Sequence, residues 1–164
     1  MDITLRMSDH ALTARAAAAA GIVLLKNTAG TLPLLPAEDG APLPVAVFGI
    51  RQLLTPAYDR AMTPWRAIGV LDGLMASDAA AAVVVIGRTP EQDHTCLTSE
   101  ETAMLTRVTS VFDRTILVLA APGYIELNEA ALACGAIVFL GLAGQEAGGA
   151  LADVLTAKVM PSGH

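Results

Sequence analysis

Basic side chains, aromatics and cysteine are the scarce components of this chain. Ten Lys and Arg against sixteen Asp and Glu leave a formal net charge of −6. That balance supplies no basic stripe for a phosphate backbone and no cationic face for an anionic bilayer. Neither nucleic acid nor a membrane surface is an expected partner. Aromatic residues make up only 4% of the chain, with a single tryptophan, Trp65. The two cysteines, Cys96 and Cys134, stand far apart in sequence with no C-x-x-C pair. This excludes a disulfide framework and a cysteine zinc site, and both thiols are expected to be small, buried and reduced. No long hydrophobic run is present either. The two longest, near 79–87 and 115–122, are far too short to span a bilayer. MDITLRMSDH lacks the apolar core of a signal peptide, so a soluble, cytoplasmic protein is the expectation.

What the chain does have is apolar residues in short, punctuated blocks. Hydrophobic residues reach 54% and charged residues only 16%, which excludes a disordered tail. A length of 164 residues implies one domain, 1–164, burying about 70% of its unfolded surface. Residues 9–20 form an alanine-rich block that predicts a helix closed by Gly21. Apolar strands are predicted at 22–26, 45–49, 82–86, 115–121 and 136–142. Four prolines and two glycines between 27 and 44 predict an extended surface connection without regular structure. Across 50–78 the pattern is poorest, with a helix near 64–76 interrupted by Gly69 and Gly73.

Thr98-x-x-Glu101 has the spacing of a capping box and opens a helix to Asp113. Met104, Leu105, Val108, Val111 and Phe112 recur on one of its faces. A short helix at 125–133 and a last one at 145–157 complete the series, the latter with Ala147, Ala150, Leu151, Val154 and Leu155 on one side. Strands that are apolar throughout and alternate with helices predict an α/β fold. The expected architecture is a mainly parallel sheet with helices on both faces, in flavodoxin-like layers.

VVVIGRTPEQDH, residues 83–94, is the segment with most chemical content. It runs from a β-branched strand into a loop bearing Glu91 and Asp93, and open α/β sheets gather ligand chemistry beyond such strand ends. A carboxylate there is a candidate acid or base, and the competing reading is solvated charge capping the sheet. GLAGQEAGG (141–149) is glycine-rich but lacks the ending of a P-loop and the spacing of a dinucleotide fingerprint. Close helix–sheet packing explains its glycines better. His10, His94 and His164 show no metal-ligand spacing, and Ser99 has no G-x-S-x-G surround. Glu100 and Glu101 fit the first turn of a helix, where the macrodipole favours acids.

In order, these segments resemble the second, α/β-sandwich domain of glycoside hydrolase family 3, the β-glucosidase-type enzymes. GIVLLKNTAGTLPL (21–34) resembles the family's "VLLKN…LPL" entry, and VAVFG its "IAVIG" strand. VVVIGRTPEQDHTCLTSEETAMLTRV resembles its strand, acidic loop and helix, with patterns of the type "G-R-x-x-G-E-G-x-D-R…L-T-x-E". ILVLAAPGYIEL resembles the next strand and turn. GLAGQEAGGALADVLTAKVMPSG (141–163) resembles "PGQEGGxALADVLxGKVNPSG". The interval 50–78 departs from the family: it is compact, lacks the usual Gly- and Ser-rich loop, and is expected to lack a strand.

The resemblance implies retaining hydrolysis of β-glucosides or related oligosaccharides, which requires two carboxyls. The nucleophile would lie on a (β/α)₈ barrel that this chain does not contain, supplied in cis or by a partner. The acid/base glutamate would come from the acidic loop, where Glu91 is the matching position. Arg88, Asp93 and His94 are the implied sugar-binding neighbours, with His94 standing where the family commonly has arginine. Trp65 is a further candidate neighbour of a sugar. A carbohydrate substrate is implied, with no metal and no cofactor, and the isolated chain is expected to be inactive. Two other readings remain at this point: a docking domain that kept the fold and lost the chemistry, and a free-standing nucleotide-binding module.

Overall fold

Val83-Val84-Val85-Ile86 and Ile116-Leu117-Val118-Leu119 suit a pleated backbone covered on both sides, because β-branched and large aliphatic side chains pack well there. In the computed structural model, which describes residues 3–36, 40–41, 43–49, 65–68, 79–88 and 95–163, these runs are the central strands β4 (Ala81–Gly87) and β5 (Thr115–Ala120). Every residue of both is buried. The other strands are β1 (Val23–Asn27), β2 (Leu43–Gly49), β3 (Trp65–Ile68) and β6 (Ala136–Phe139). The described helices are α1 (Ile3–Gly21), α2 (Ser99–Val111), α3 (Glu129–Leu132) and α4 (Ala147–Leu155), the last preceded by a 3₁₀ turn at Gly144–Glu146.

The six strands lie in the order β1-β6-β5-β4-β2-β3. All neighbouring pairs are parallel except β1 with β6. The fold is therefore α/β with a mainly parallel sheet, as the apolar strand runs predict. Because side chains alternate along a strand, the sheet carries two separate cores. Val45, Val47, Val83, Val85, Ile116 and Val118 meet Leu151, Val154 and Leu155 of α4 and Ala19 of α1. On the other side, Phe48, Val84, Ile86, Leu117 and Leu119 meet Leu105 and Val108 of α2. There the Phe48 and Phe112 rings meet edge to face, their centroids 5.9 Å apart.

Several expectations change. The helix expected over 64–76 is replaced at Trp65–Ile68 by strand β3, which pairs in parallel with Leu43–Ala46; the rest of that interval lies outside the described residues. Ladder hydrogen bonds to an existing edge outweigh a weak helical pattern. β3 also supplies an outer strand in the very interval where one was expected to be missing. The 27–44 connection is not wholly superficial. Leu34 is fully buried and its N–H donates to Leu155 O at 2.8 Å, while Leu32 is buried as well and Leu43 and Pro44 already belong to β2. Arg114 holds the same segment, with Nη2 donating to Thr31 O (3.0 Å) and Pro33 O (3.1 Å).

Val111 is 53% exposed, because the face of α2 that meets the sheet is centred on Leu105, Val108 and Phe112. Of the glycines in 141–149, Gly149 faces helix α1 rather than the sheet. A Cβ on Gly149 would stand 3.1 Å from the Arg15 guanidinium, which forms two hydrogen bonds to Asp153 (2.6 and 2.7 Å) and ties α1 to α4. Cys134 is buried as expected, but Cys96 is exposed. Among the described residues no helix is long and apolar enough to cross a membrane.

Candidate functional site

β2 and β4 are neighbours, but the strand after β2 lies on one side of this pair and the strand after β4 on the other. Divergent connections of this kind open a crevice at the carboxyl ends of the two strands, the usual ligand position in open α/β sheets. Gly49 ends β2 there with φ +99°. A Cβ at that position would fall 1.9 Å from Val85 O, so the approach of the two strands admits only glycine.

β4 ends at Gly87, and Arg88 continues the ladder by donating its N–H to Ala120 O at 2.9 Å. The Arg88 side chain is buried and turns toward the start of α2. Its Nη1 donates to Glu101 Oε1 (2.6 Å) and to Gly87 O (2.9 Å). Its Nη2 donates to Glu101 Oε2 (2.6 Å) and to Cys96 O (3.2 Å). Glu101 meanwhile closes the capping box that the Thr98-x-x-Glu101 spacing predicts. Its Oε2 accepts from Thr98 N at 2.9 Å, and Thr98 Oγ1 accepts from Glu101 N at 3.2 Å. Burial pushes the Glu101 carboxyl up, but hydrogen bonds from Arg88 and Thr98 outweigh this and hold it below the ordinary carboxylate value. The same pair raises Arg88, so the ion pair is fully charged at neutral pH.

Glu91, Asp93 and His94 lie outside the described residues, 89–94, so of the four residues singled out from sequence only Arg88 has a described environment. The residues that flank 89–94 are held on both sides. Arg88 is in the ladder to β5, and on the far side Glu126 N donates to Thr95 O at 2.6 Å while Cys96 and Glu126 form a parallel bridge. The Cys96 thiol donates to Glu126 Oε2 at 3.4 Å. Sequence reasoning missed both Glu101 as the partner of Arg88 and Glu126 as the partner of Cys96. The capping pattern pointed to Glu101, but no sequence spacing reveals a partner 13 or 30 residues away across a strand–loop–helix turn.

The backbone of Trp65 pairs with Leu43 at the amino end of β2, whereas the crevice lies at the opposite edge beside Gly49. This register separates Trp65 from the carboxyl-edge loops by six residues of β2, about 20 Å of strand. Beside the carboxyl ends of β5 and β6 runs an apolar groove of about 710 Å³, lined by Val23, Leu119, Ile125, Phe139 and the exposed Leu25 and Tyr124. A second groove of about 480 Å³ follows a row of threonines between α2 and α3, where Asn128 Nδ2 donates to Thr102 Oγ1 at 2.8 Å. Neither groove brings paired carboxylates together.

The profile described as "Glycosyl hydrolase family 3 C-terminal domain" matches residues 22–164. The chain belongs to glycoside hydrolase family 3. It corresponds to that family's C-terminal α/β domain, as the motif order at its two ends implies. Among solved structures, a family 3 β-glucosidase from Neurospora crassa is 25% identical with a TM-score of 0.71, covering 94% of this chain and 25% of the enzyme. The β-D-glucoside glucohydrolase of Trichoderma reesei is also 25% identical (TM-score 0.74), with 94% of this chain and 29% of the enzyme covered. β-Glucosidase 3B of Thermotoga neapolitana, solved with α-D-glucose, shares the fold at 20% identity and a TM-score of 0.77, with 94% and 30% covered. This family 3 domain thus spans between a quarter and a third of the length of those enzymes. No curated protein sequence matches it.

Proposed function

We propose that this family 3 domain works as the second domain of a retaining β-glycosidase acting on β-glucosides, and that Glu91 is its general acid/base. The observation that carries the reading is the origin of the 89–94 segment. It leaves the carboxyl end of β4 at the sheet's switch point, in a chain of a hydrolase family. In the first step the Glu91 carboxyl gives its proton to the departing glycosidic oxygen while a carboxylate of a separate barrel domain attacks the anomeric carbon. In the second, the Glu91 carboxylate takes a proton from the water that releases the sugar. Such a group must begin protonated near neutrality, and enclosure between two domains and a bound sugar would raise its pKa to suit. Asp93 and His94 are the proposed sugar-facing neighbours in the same segment.

The test is Glu91→Gln in the full-length polypeptide. A general acid contributes about 10²- to 10⁴-fold. The kcat/KM for alkyl or unactivated aryl β-glucosides should fall by that order, while kcat/KM for 2,4-dinitrophenyl β-glucoside, whose leaving group needs no proton, should be much less affected. Unchanged rates on the unactivated substrates would defeat the reading. The exposed groove at Tyr124 and Leu25 favours a second reading, a non-catalytic docking domain. That alternative requires tight binding to a barrel partner together with indifference of activity to Glu91.

A further inference from the structure

We infer that Arg88 and Glu101 form a positioning pair that serves Glu91 by holding the residues on either side of 89–94, and that the η nitrogens of Arg88 are not sugar contacts. This inference rests on the reading of Glu91 as acid/base. All four N–H bonds of the two η nitrogens are committed: two to the Glu101 carboxylate, one to Gly87 O and one to Cys96 O. An arginine that gripped sugar hydroxyls with this fork would need those donors. The carbonyls it holds are the informative ones. Gly87 precedes the 89–94 segment and Cys96 follows it, so one guanidinium ties the way in to the way out.

Glu101 extends the tie to a rigid element, since the oxygen that accepts from Arg88 Nη2 also accepts from the first residue of the α2 cap. The parallel fork-to-fork geometry fixes orientation as well as distance, which a lysine in the same place does not. Only 5% of the Arg88 side chain and 15% of the Glu101 side chain are exposed, so water competes weakly for these bonds. An acid/base carboxyl demands such a frame, because a misplacement of about 1 Å can cost about 10²-fold in rate.

The experiment compares Arg88→Lys and the milder Glu101→Gln in the full-length enzyme, each alone and combined with Glu91→Gln. The substrates are a series of aryl β-glucosides of graded leaving-group pKa. The expected result is a fall in kcat/KM of about 10- to 100-fold on the least activated substrates, shrinking toward none on 2,4-dinitrophenyl β-glucoside, whose kcat falls instead because the water-activating second step is slowed. In the Glu91→Gln background the same changes should add almost nothing. Equal losses of kcat/KM across the series, or a raised KM at constant kcat on the unactivated substrates, would overturn the proposal in favour of a general folding role or a sugar contact. So would full additivity with Glu91→Gln. If Glu91→Gln is slow while both pair variants keep wild-type rates, the pair alone is refuted. If Glu91→Gln itself keeps the rate on unactivated substrates, the acid/base reading falls and takes the pair's role with it.

Discussion

The two faces of the sheet are finished to different degrees. On one, α1 and α4 cross the strands, an Ala- and Gly-rich contact lets them approach, and the Arg15–Asp153 pair locks them together. On the other, α2 covers the middle strands, but α3 is only four residues long and the β1–β6 margin opens into the groove with Tyr124 and Leu25 at its rim. The first face is closed by segments of this chain itself. Among the described residues the second leaves Tyr124 76% and Leu132 50% exposed, while Leu12 of α1 is 66% exposed on the first.

The largest effects should come from the two cores, and they test whether the faces are independent. Leu155→Ala and Leu105→Ala each remove a fully buried side chain, one per face, and each should cost about 2–5 kcal/mol in urea unfolding. Because the sheet separates them, the double variant should show the sum within about 0.5 kcal/mol. Strong non-additivity would mean that the two layers are mechanically one. Asp153→Ala comes next, at about 1–3 kcal/mol, since it leaves the Arg15 guanidinium half-buried and unpaired. Gly149→Ala, which crowds the end of a flexible side chain, should cost less than Asp153→Ala.

The α2 face carries the pH dependence. Glu101 is held below its ordinary value in the folded state, so its contribution is fully present above about pH 4.3, the unfolded value, and is lost as pH falls through the folded one. Wild type should lose stability more steeply than Glu101→Gln between about pH 5 and 3. Cys134 has the opposite sign. Burial pushes its thiol up to about 11, so the contribution is present below the ordinary thiol value and disappears as pH rises toward 11. Cys134→Ala should flatten that alkaline limb. In the native protein a thiol reagent should label Cys96 and spare Cys134 until unfolding. The smallest effect on stability, within about 0.5 kcal/mol, is expected for Tyr124→Ser with Leu25→Ser. Dynamic light scattering should nevertheless show reduced self-association, and no change there would argue that the open margin is inert.

How much of this was legible in the sequence follows the physics of each element. β4 and β5 were plain because strands buried on both faces are apolar at every position. α2 was plain because Thr98 and Glu101 announce its start. β3 was not, since Trp-Arg-Ala-Ile carries neither an alternation nor an apolar run, and only pairing with β2 makes it a strand. The burial of Leu34 was hidden behind its prolines, which report the absence of helix and nothing about depth. Of the candidate site only the address was legible: a strand that ends in Gly87, followed in sequence by acidic residues. The Arg88–Glu101 pair was not, because an arginine at a strand end and a glutamate in a helix cap become partners only once the chain has turned back on itself.

β1 is the outermost strand on the margin beside the groove, and its form bears on how crowded copies of the molecule behave. It has only five residues, its register slips between Leu24 and Lys26, and the Lys26 ammonium is spent on Leu132 O. To an incoming strand from another molecule this is a poor template. The rail is short, kinked midway and carries a cation where a further ladder would have to dock. Association at this side of the domain is thereby steered toward contact between side chains in the groove and away from runaway growth of the sheet.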